Sequence, residues 1–117
     1  MKINHLNLTV TDVQAAKAFL TNYFGLRSGE QGQGRKGFAL LFDDEGLVLT
    51  MMKSAPAAGV TYPPTFHIGF IQPSEEHVNE IYRRLKEDGF EVEPPEHHHA
   101  WTFYVRAPGG FLVEVLA

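Results

Sequence analysis

Pro108-Gly109-Gly110-Phe111-Leu112-Val113-Glu114-Val115-Leu116 brings the chain to its end with a Pro-Gly-Gly turn and a run of large and β-branched apolar residues. That composition describes a strand entered through a tight bend. Glu114 interrupts it. An isolated carboxylate on a buried strand is costly unless a cation or hydrogen-bond donors meet it, so either this face is wet or something positive stands opposite. Gly46-Leu47-Val48-Leu49-Thr50 has the same form, with Thr50 in the place of Glu114.

Working outward, each of these strands closes a similar series. In the first half, Ile3 to Val10 alternates, with His5, Asn7 and Thr9 on one face and Leu6, Leu8 and Val10 on the other. Asp12 is a candidate N-cap for a helix reaching Phe24. Its apolar positions Val13, Ala16, Phe19, Leu20, Tyr23 and Phe24 recur at helical spacing, and Gly25 fits its C-terminal stop. The Gly/Gln stretch from Gly29 to Gly37 reads as a connector or hairpin arm. Phe38 to Phe42 and Leu47 to Met52 read as strands joined by Asp43-Asp44-Glu45-Gly46. Ala55 to Pro64, with three prolines, is the expected linker.

The second half repeats the order. Thr65 to Ile71 alternates, with His67 and Gly69 opposite Phe66, Ile68 and Phe70. A helix is expected from Ser74 to Asp88, with Val78, Ile81, Tyr82 and Leu85 on its apolar face and Gly89 beyond it. Glu91 to Pro95, Ala100 to Val105 and Phe111 to Leu116 are the expected strands. His5 and His67 lie 62 residues apart, while Gly25/Gly89 and Gly46/Gly110 share a spacing of 64. Such registration points to an internal duplication. It predicts an α+β fold of two tandem βαβββ modules, residues 1–54 and 65–117, forming a cupped mixed sheet around a cavity. The 117 residues suit one domain.

The duplication also places His5, Thr50, His67 and Glu114 at equivalent strand positions. Three of these are good divalent-metal ligands, and two imidazoles with one carboxylate leave coordination positions open. Taken singly, either histidine reads as an ordinary structural or surface residue; two at matching positions with Glu114 read as a site.

Composition narrows the function classes. A net charge of −4 without a basic stripe argues against a nucleic-acid partner. No 18-residue apolar run and no signal-like start are present, so no membrane partner and a cytoplasmic location are expected. The absence of cysteine excludes disulfides, thiolate ligands and a cysteine nucleophile.

The chain resembles the vicinal-oxygen-chelate superfamily, which includes glyoxalase I, bleomycin-resistance proteins, fosfomycin-resistance transferases and extradiol dioxygenases. The resemblance is carried by Asn4-His5-Leu6, Val10-Thr11-Asp12, Phe24-Gly25-Leu26, Phe66-His67-Ile68, Pro108-Gly109-Gly110 and Val113-Glu114-Val115. It implies a divalent ion (Zn, Fe, Mn, Ni or Co) held by His5, His67 and Glu114, a small-molecule substrate, and a homodimer, often one that exchanges modules. It further implies that Asn7, Thr50, Thr102 and Tyr104 contact substrate, with Tyr104 or metal-bound hydroxide as the base. The expected activity is metal-dependent Lewis-acid chemistry on a small oxygen-rich substrate, in a lyase, transferase or dioxygenase. The alternative is an antibiotic-binding protein of the bleomycin-resistance type, without catalysis.

No subfamily pattern is matched throughout. The additional glutamate ligand of glyoxalase I falls on Thr50, and the threonine of fosfomycin transferases two residues after the first histidine is Asn7 here. The usual Asp-Pro-Asp-Gly turn is Ala107-Pro108-Gly109-Gly110. His97-His98-His99 reads as an exposed loop, or as a loop at the cavity rim with Trp101 beside it.

Overall fold

A computed structural model describes residues 1–29, 37–54 and 59–117. Most of the Gly29–Gly37 connector and residues 55–58 of the expected linker lie outside the described residues. The first series comprises β1 (His5–Val10), α1 (Val13–Phe24), β2 (Arg27–Ser28), β3 (Phe38–Phe42) and β4 (Val48–Lys53). The second comprises β5 (His67–Ile71), α2 (Glu75–Glu87), β6 (Glu96–His97), β7 (Trp101–Arg106) and β8 (Leu112–Leu116). Each series is βαβββ, and the fold class is α+β.

The strands form two four-stranded mixed sheets in the same order, β1-β4-β3-β2 and β5-β8-β7-β6. In each sheet the first strand of the module pairs in parallel with the last, and the other pairs are antiparallel. The register repeats as well. His5 lies against Val48 as His67 lies against Leu112, and Asn7 faces Thr50 as Gly69 faces Glu114. Thr50 and Glu114 are therefore structural equivalents.

Local chemistry explains the element ends. The Asp12 carboxylate accepts from Ala15 N at 3.0 Å, satisfying a first-turn donor of α1. Gly25 takes a left-handed φ of 69°, letting its N–H and that of Leu26 close on the last turn. Ser74 caps α2 by accepting from His77 N, with Glu75 and Glu76 in the first turn and Arg84 and Lys86 in the last. One strand moves from its expected place. Glu91 to Pro95 is irregular and pairing begins at Glu96, because Pro94 and Pro95 carry no N–H for a ladder. The two-residue β2 completes the first sheet ahead of the undescribed connector.

The chain divides into two compact units: Met1–Tyr62 with Pro108–Gly110, and Pro63–Ala107 with Phe111–Ala117. In the first, Val13, Ala16, Phe19 and Leu20 of α1 are buried, as are Leu8, Val10, Leu41, Leu49 and Met51 on the strands. In the second, Val78, Ile81 and Leu85 of α2 are buried, as are Phe103, Val105, Phe111, Val113 and Val115. The end of the expected linker is anchored: the Tyr62 hydroxyl donates to Thr9 O at 2.6 Å. The Pro108–Gly110 turn belongs to the first unit, where Thr11 N donates to Gly109 O at 3.4 Å. Gly109 has φ +103°, and a Cβ there would stand 3.0 Å from Val10 Cβ. Among the described residues, no helix is long and apolar enough to cross a membrane.

Candidate active site

Thr102 and Glu114 are the buried polar residues of the described core, at 2% and 5% exposure. Their positions follow from strand alternation. Glu114 lies on β8 between Gly69 of β5 and Tyr104 of β7, and Thr102 lies two residues from Tyr104 on the same face. Gly69 leaves room at the carboxylate: even a Cβ there would stand 3.9 Å from Glu114 Oε1.

The two carboxylate oxygens have different surroundings. Oε2 accepts from Thr102 Oγ1 at 2.7 Å and from His99 Nε2 at 2.6 Å. Oε1 faces His67 Nε2 at 3.4 Å. The other ring nitrogen of His67, Nδ1, lies 2.9 Å from Thr65 O. A carbonyl oxygen can only accept, so Nδ1 carries the proton. In the neutral ring Nε2 then presents a lone pair to a carboxylate. Two acceptors do not attract each other; a proton on Nε2, or a cation shared between them, makes this contact favourable. The His67 ring also stands edge-on to Tyr104, with centroids 5.5 Å apart.

Burial, the largest influence on Glu114, pushes its carboxyl up. The Thr102 and His99 hydrogen bonds, the charge of His99 and a hydrogen bond from Tyr104 together outweigh it and hold the group below its ordinary range. Burial first, then the Glu114 charge and hydrogen bond, push the Tyr104 phenol up. Tyr104 is thus favoured as a neutral donor rather than as a base.

In the first unit, Thr50 and Asn7 occupy the positions of Glu114 and Gly69. Thr50 Oγ1 donates to Asn7 Oδ1 at 2.8 Å, a cross-strand side-chain contact that Gly69 cannot make with Glu114 in the second unit. His5 is exposed on β1, with Nδ1 3.1 Å from Asn4 Oδ1. A proton on that nitrogen leaves Nε2 as the available lone pair, the same tautomer as in His67.

The structure therefore brings together His67, Glu114, Thr102 and Tyr104, and separately Asn7 with Thr50. The Thr102 hydroxyl is buried and donates to the Glu114 carboxylate. All three histidines of the run are exposed, and each approaches a carboxylate. His97 lies 3.7 Å from Glu75 and packs on Trp101, His98 lies 3.2 Å from Glu96, and His99 reaches Glu114. His99 is the site residue that strand alternation does not reveal, because it stands in the β6–β7 turn. The available signal was the need of a buried carboxylate for a donor on a neighbouring segment. Among the described residues, no three His, Cys, Asp or Glu side chains are grouped as they would be around an ion. The donor chemistry nonetheless fits a divalent cation at His67 Nε2 and Glu114 Oε1.

The family model described as Glyoxalase/Bleomycin resistance protein/Dioxygenase superfamily matches residues 2–115. The chain belongs to this superfamily. Within the glyoxalase/bleomycin resistance/dioxygenase superfamily, also known as the vicinal-oxygen-chelate superfamily, a solved structure of a possible glyoxalase from Bacillus cereus is 56% identical. The match covers 100% of this chain and 99% of that one, with a TM-score of 0.91. Lactoylglutathione lyase from Agrobacterium tumefaciens shares the fold at 20% identity, coverage of 98% and 92%, and a TM-score of 0.75. A mutant of the fosfomycin resistance protein FosX from Listeria monocytogenes shares it at 23% identity. That likeness covers 99% and 91% of the two chains with a TM-score of 0.80, and the protein was solved with Mn(II) and 1S,2S-dihydroxypropylphosphonic acid. A comparison with curated proteins finds no match.

Proposed function

We propose that the chain is a divalent-metal-dependent enzyme acting on a small oxygen-rich substrate, with His5, His67 and Glu114 as the protein ligands. The reading rests above all on the His67–Glu114 contact. A backbone carbonyl fixes one imidazole nitrogen as a donor, and the other is aimed at a carboxylate held in its ionised form. Superfamily membership and the Mn(II) complex of FosX support the same reading.

A bound divalent ion supplies Lewis-acid stabilisation of negative charge on a substrate oxygen. The chain's own residues do the rest. Thr102 and His99 hold Glu114 ionised and oriented, and Thr65 O fixes the His67 tautomer. The raised Tyr104 phenol stays protonated near neutrality, so it acts as a hydrogen-bond or proton donor toward substrate. Asn7, with Oδ1 occupied by Thr50, offers its amide nitrogen to a substrate oxygen. Thr50 is a poor metal ligand and far too weak a base to replace a carboxylate.

Elemental analysis of protein purified without chelator or nickel resin, then loaded with Mn, Zn, Ni, Co or Fe(II), tests the assignment. The wild type is expected to retain about one ion per chain, and His5→Ala, His67→Ala and Glu114→Ala each to lose it. Metal content unchanged in all three would overturn the reading. Tight binding of a bleomycin-type drug by all three variants would favour the antibiotic-binding alternative.

A further inference from the structure

His99 stands apart from its two neighbours. His97 and His98 approach carboxylates that are themselves more than half exposed, at 3.7 and 3.2 Å. His99 reaches Glu114, the one buried carboxylate among the described residues, at 2.6 Å. The turn that carries it is held on several sides. His98 N donates to Ala100 O at 3.0 Å, and Trp101 exchanges backbone hydrogen bonds with Ala117. The His97 ring lies on Trp101 with centroids 4.6 Å apart, and Trp101 Nε1 donates to Asn79 Oδ1 at 2.8 Å. A short, braced turn thus presents one N–H to Oε2, beside the Thr102 hydroxyl.

Two donors on one oxygen fix more than its charge. A carboxylate held at a single oxygen by a single donor can still swing about that bond. Donors from Thr102 on β7 and His99 on the turn define both the rotation of the group and which oxygen is left over. The oxygen left over is Oε1, on the His67 side.

We infer that His99 is a positioning residue for Glu114: with Thr102 it holds Oε2, so that Oε1 alone is presented as a single-oxygen metal ligand beside His67. The inference rests on the metal-site reading above. It assigns the last histidine of the run to the ligand's support and leaves His97 and His98 outside it. Removing His99 takes away one of the two donors on Oε2 and loosens the carboxylate, which keeps Thr102 on that oxygen and its hydrogen bond from Tyr104.

The test is titration with Mn(II) alone, following the free-ion signal by electron paramagnetic resonance. Wild type is compared with His99→Ala, His99→Gln, His99→Asn, His98→Ala and Glu114→Gln. Loss of a supporting hydrogen bond typically weakens metal binding about 10- to 100-fold, and His99→Ala is expected at the lower end of that range. The Gln amide nitrogen reaches the position of Nε2 and should restore most of the affinity. Asn is too short and should resemble Ala, and His98→Ala should resemble wild type. Gln and Asn also keep the comparison open if His99→Ala does not fold. A role confined to stability would shift the melting temperature of the metal-free protein and leave Mn(II) affinity unchanged. Equal or tighter binding by His99→Ala, with Glu114→Gln still deficient, overturns this inference alone. Mn(II) binding absent from wild type, or intact in Glu114→Gln, overturns both it and the metal-site reading.

Discussion

Thr50 and Asn7 decide how far this chain resembles an enzyme with four protein ligands. The cross-strand neighbour of Glu114 is Gly69, whereas a glutamate at position 50 would face Asn7, whose Oδ1 is already engaged by residue 50. Thr50→Glu alone is therefore expected to bind metal little better than wild type. Thr50→Glu combined with Asn7→Gly, which recreates the arrangement of the second unit, should bind more tightly. Competition with a metal-sensitive dye distinguishes the two. The wild type, loaded with nickel or zinc, should isomerise glutathione hemithioacetal weakly or not at all; efficient turnover would show that the chemistry needs no carboxylate at position 50. Glu114 also predicts a pH dependence of stability. Its carboxyl is held below the ordinary value in the fold, so the unfolded chain takes up the proton first as pH falls. The stabilisation is full above the unfolded glutamate value of about 4.3 and is lost as pH drops through the folded value. Urea midpoints of metal-free wild type and Glu114→Gln, compared from pH 7 downward, should show the wild type losing ground in that window.

At the scale of elements, most of the architecture was legible because its signals are local. Asp12, Gly25 and Ser74 mark helix ends through their own side chains or backbone freedom, and each acts where the sequence places it. Two-residue alternation assigned the faces of β1 and β5, and the repeated glycine spacing gave the equivalence of Thr50 with Glu114, which the register confirms. What the sequence did not reveal depends on partners distant along the chain. β2 and β6 have two residues each, too few to carry a period, and β6 follows the prolines that exclude Glu91 to Pro95 from pairing. The contact of His99 with Glu114 spans 15 residues and arises from a turn, where alternation has no meaning. The caps offer a direct check: Ser74→Ala should cost about 1 kcal/mol of stability, read from chemical denaturation, with little effect on metal content.

At the scale of the whole molecule, we expect a homodimer. If the subunits exchange modules, His5 of one chain serves with His67 and Glu114 of the other. Mixing His5→Ala with Glu114→Ala subunits then restores one intact site per mixed dimer, seen as recovered metal binding; without exchange no site recovers. A monomer by light scattering at micromolar concentration would remove this arrangement. The turn at Pro108–Gly110 makes a separate prediction. Gly109 combines a φ of +103° with a close approach to Val10, so Gly109→Ala should cost about 1–3 kcal/mol, measured by thermal or urea unfolding. The placement of that turn has a further consequence. The chain crosses from one unit to the other after Tyr62, after Ala107 and again after Gly110. A gene cut at the repeat boundary would therefore give a second fragment carrying three residues whose seat is on the first. Each half keeps the βαβββ outline, yet the first compact unit is complete only with Pro108–Gly110 from the second half.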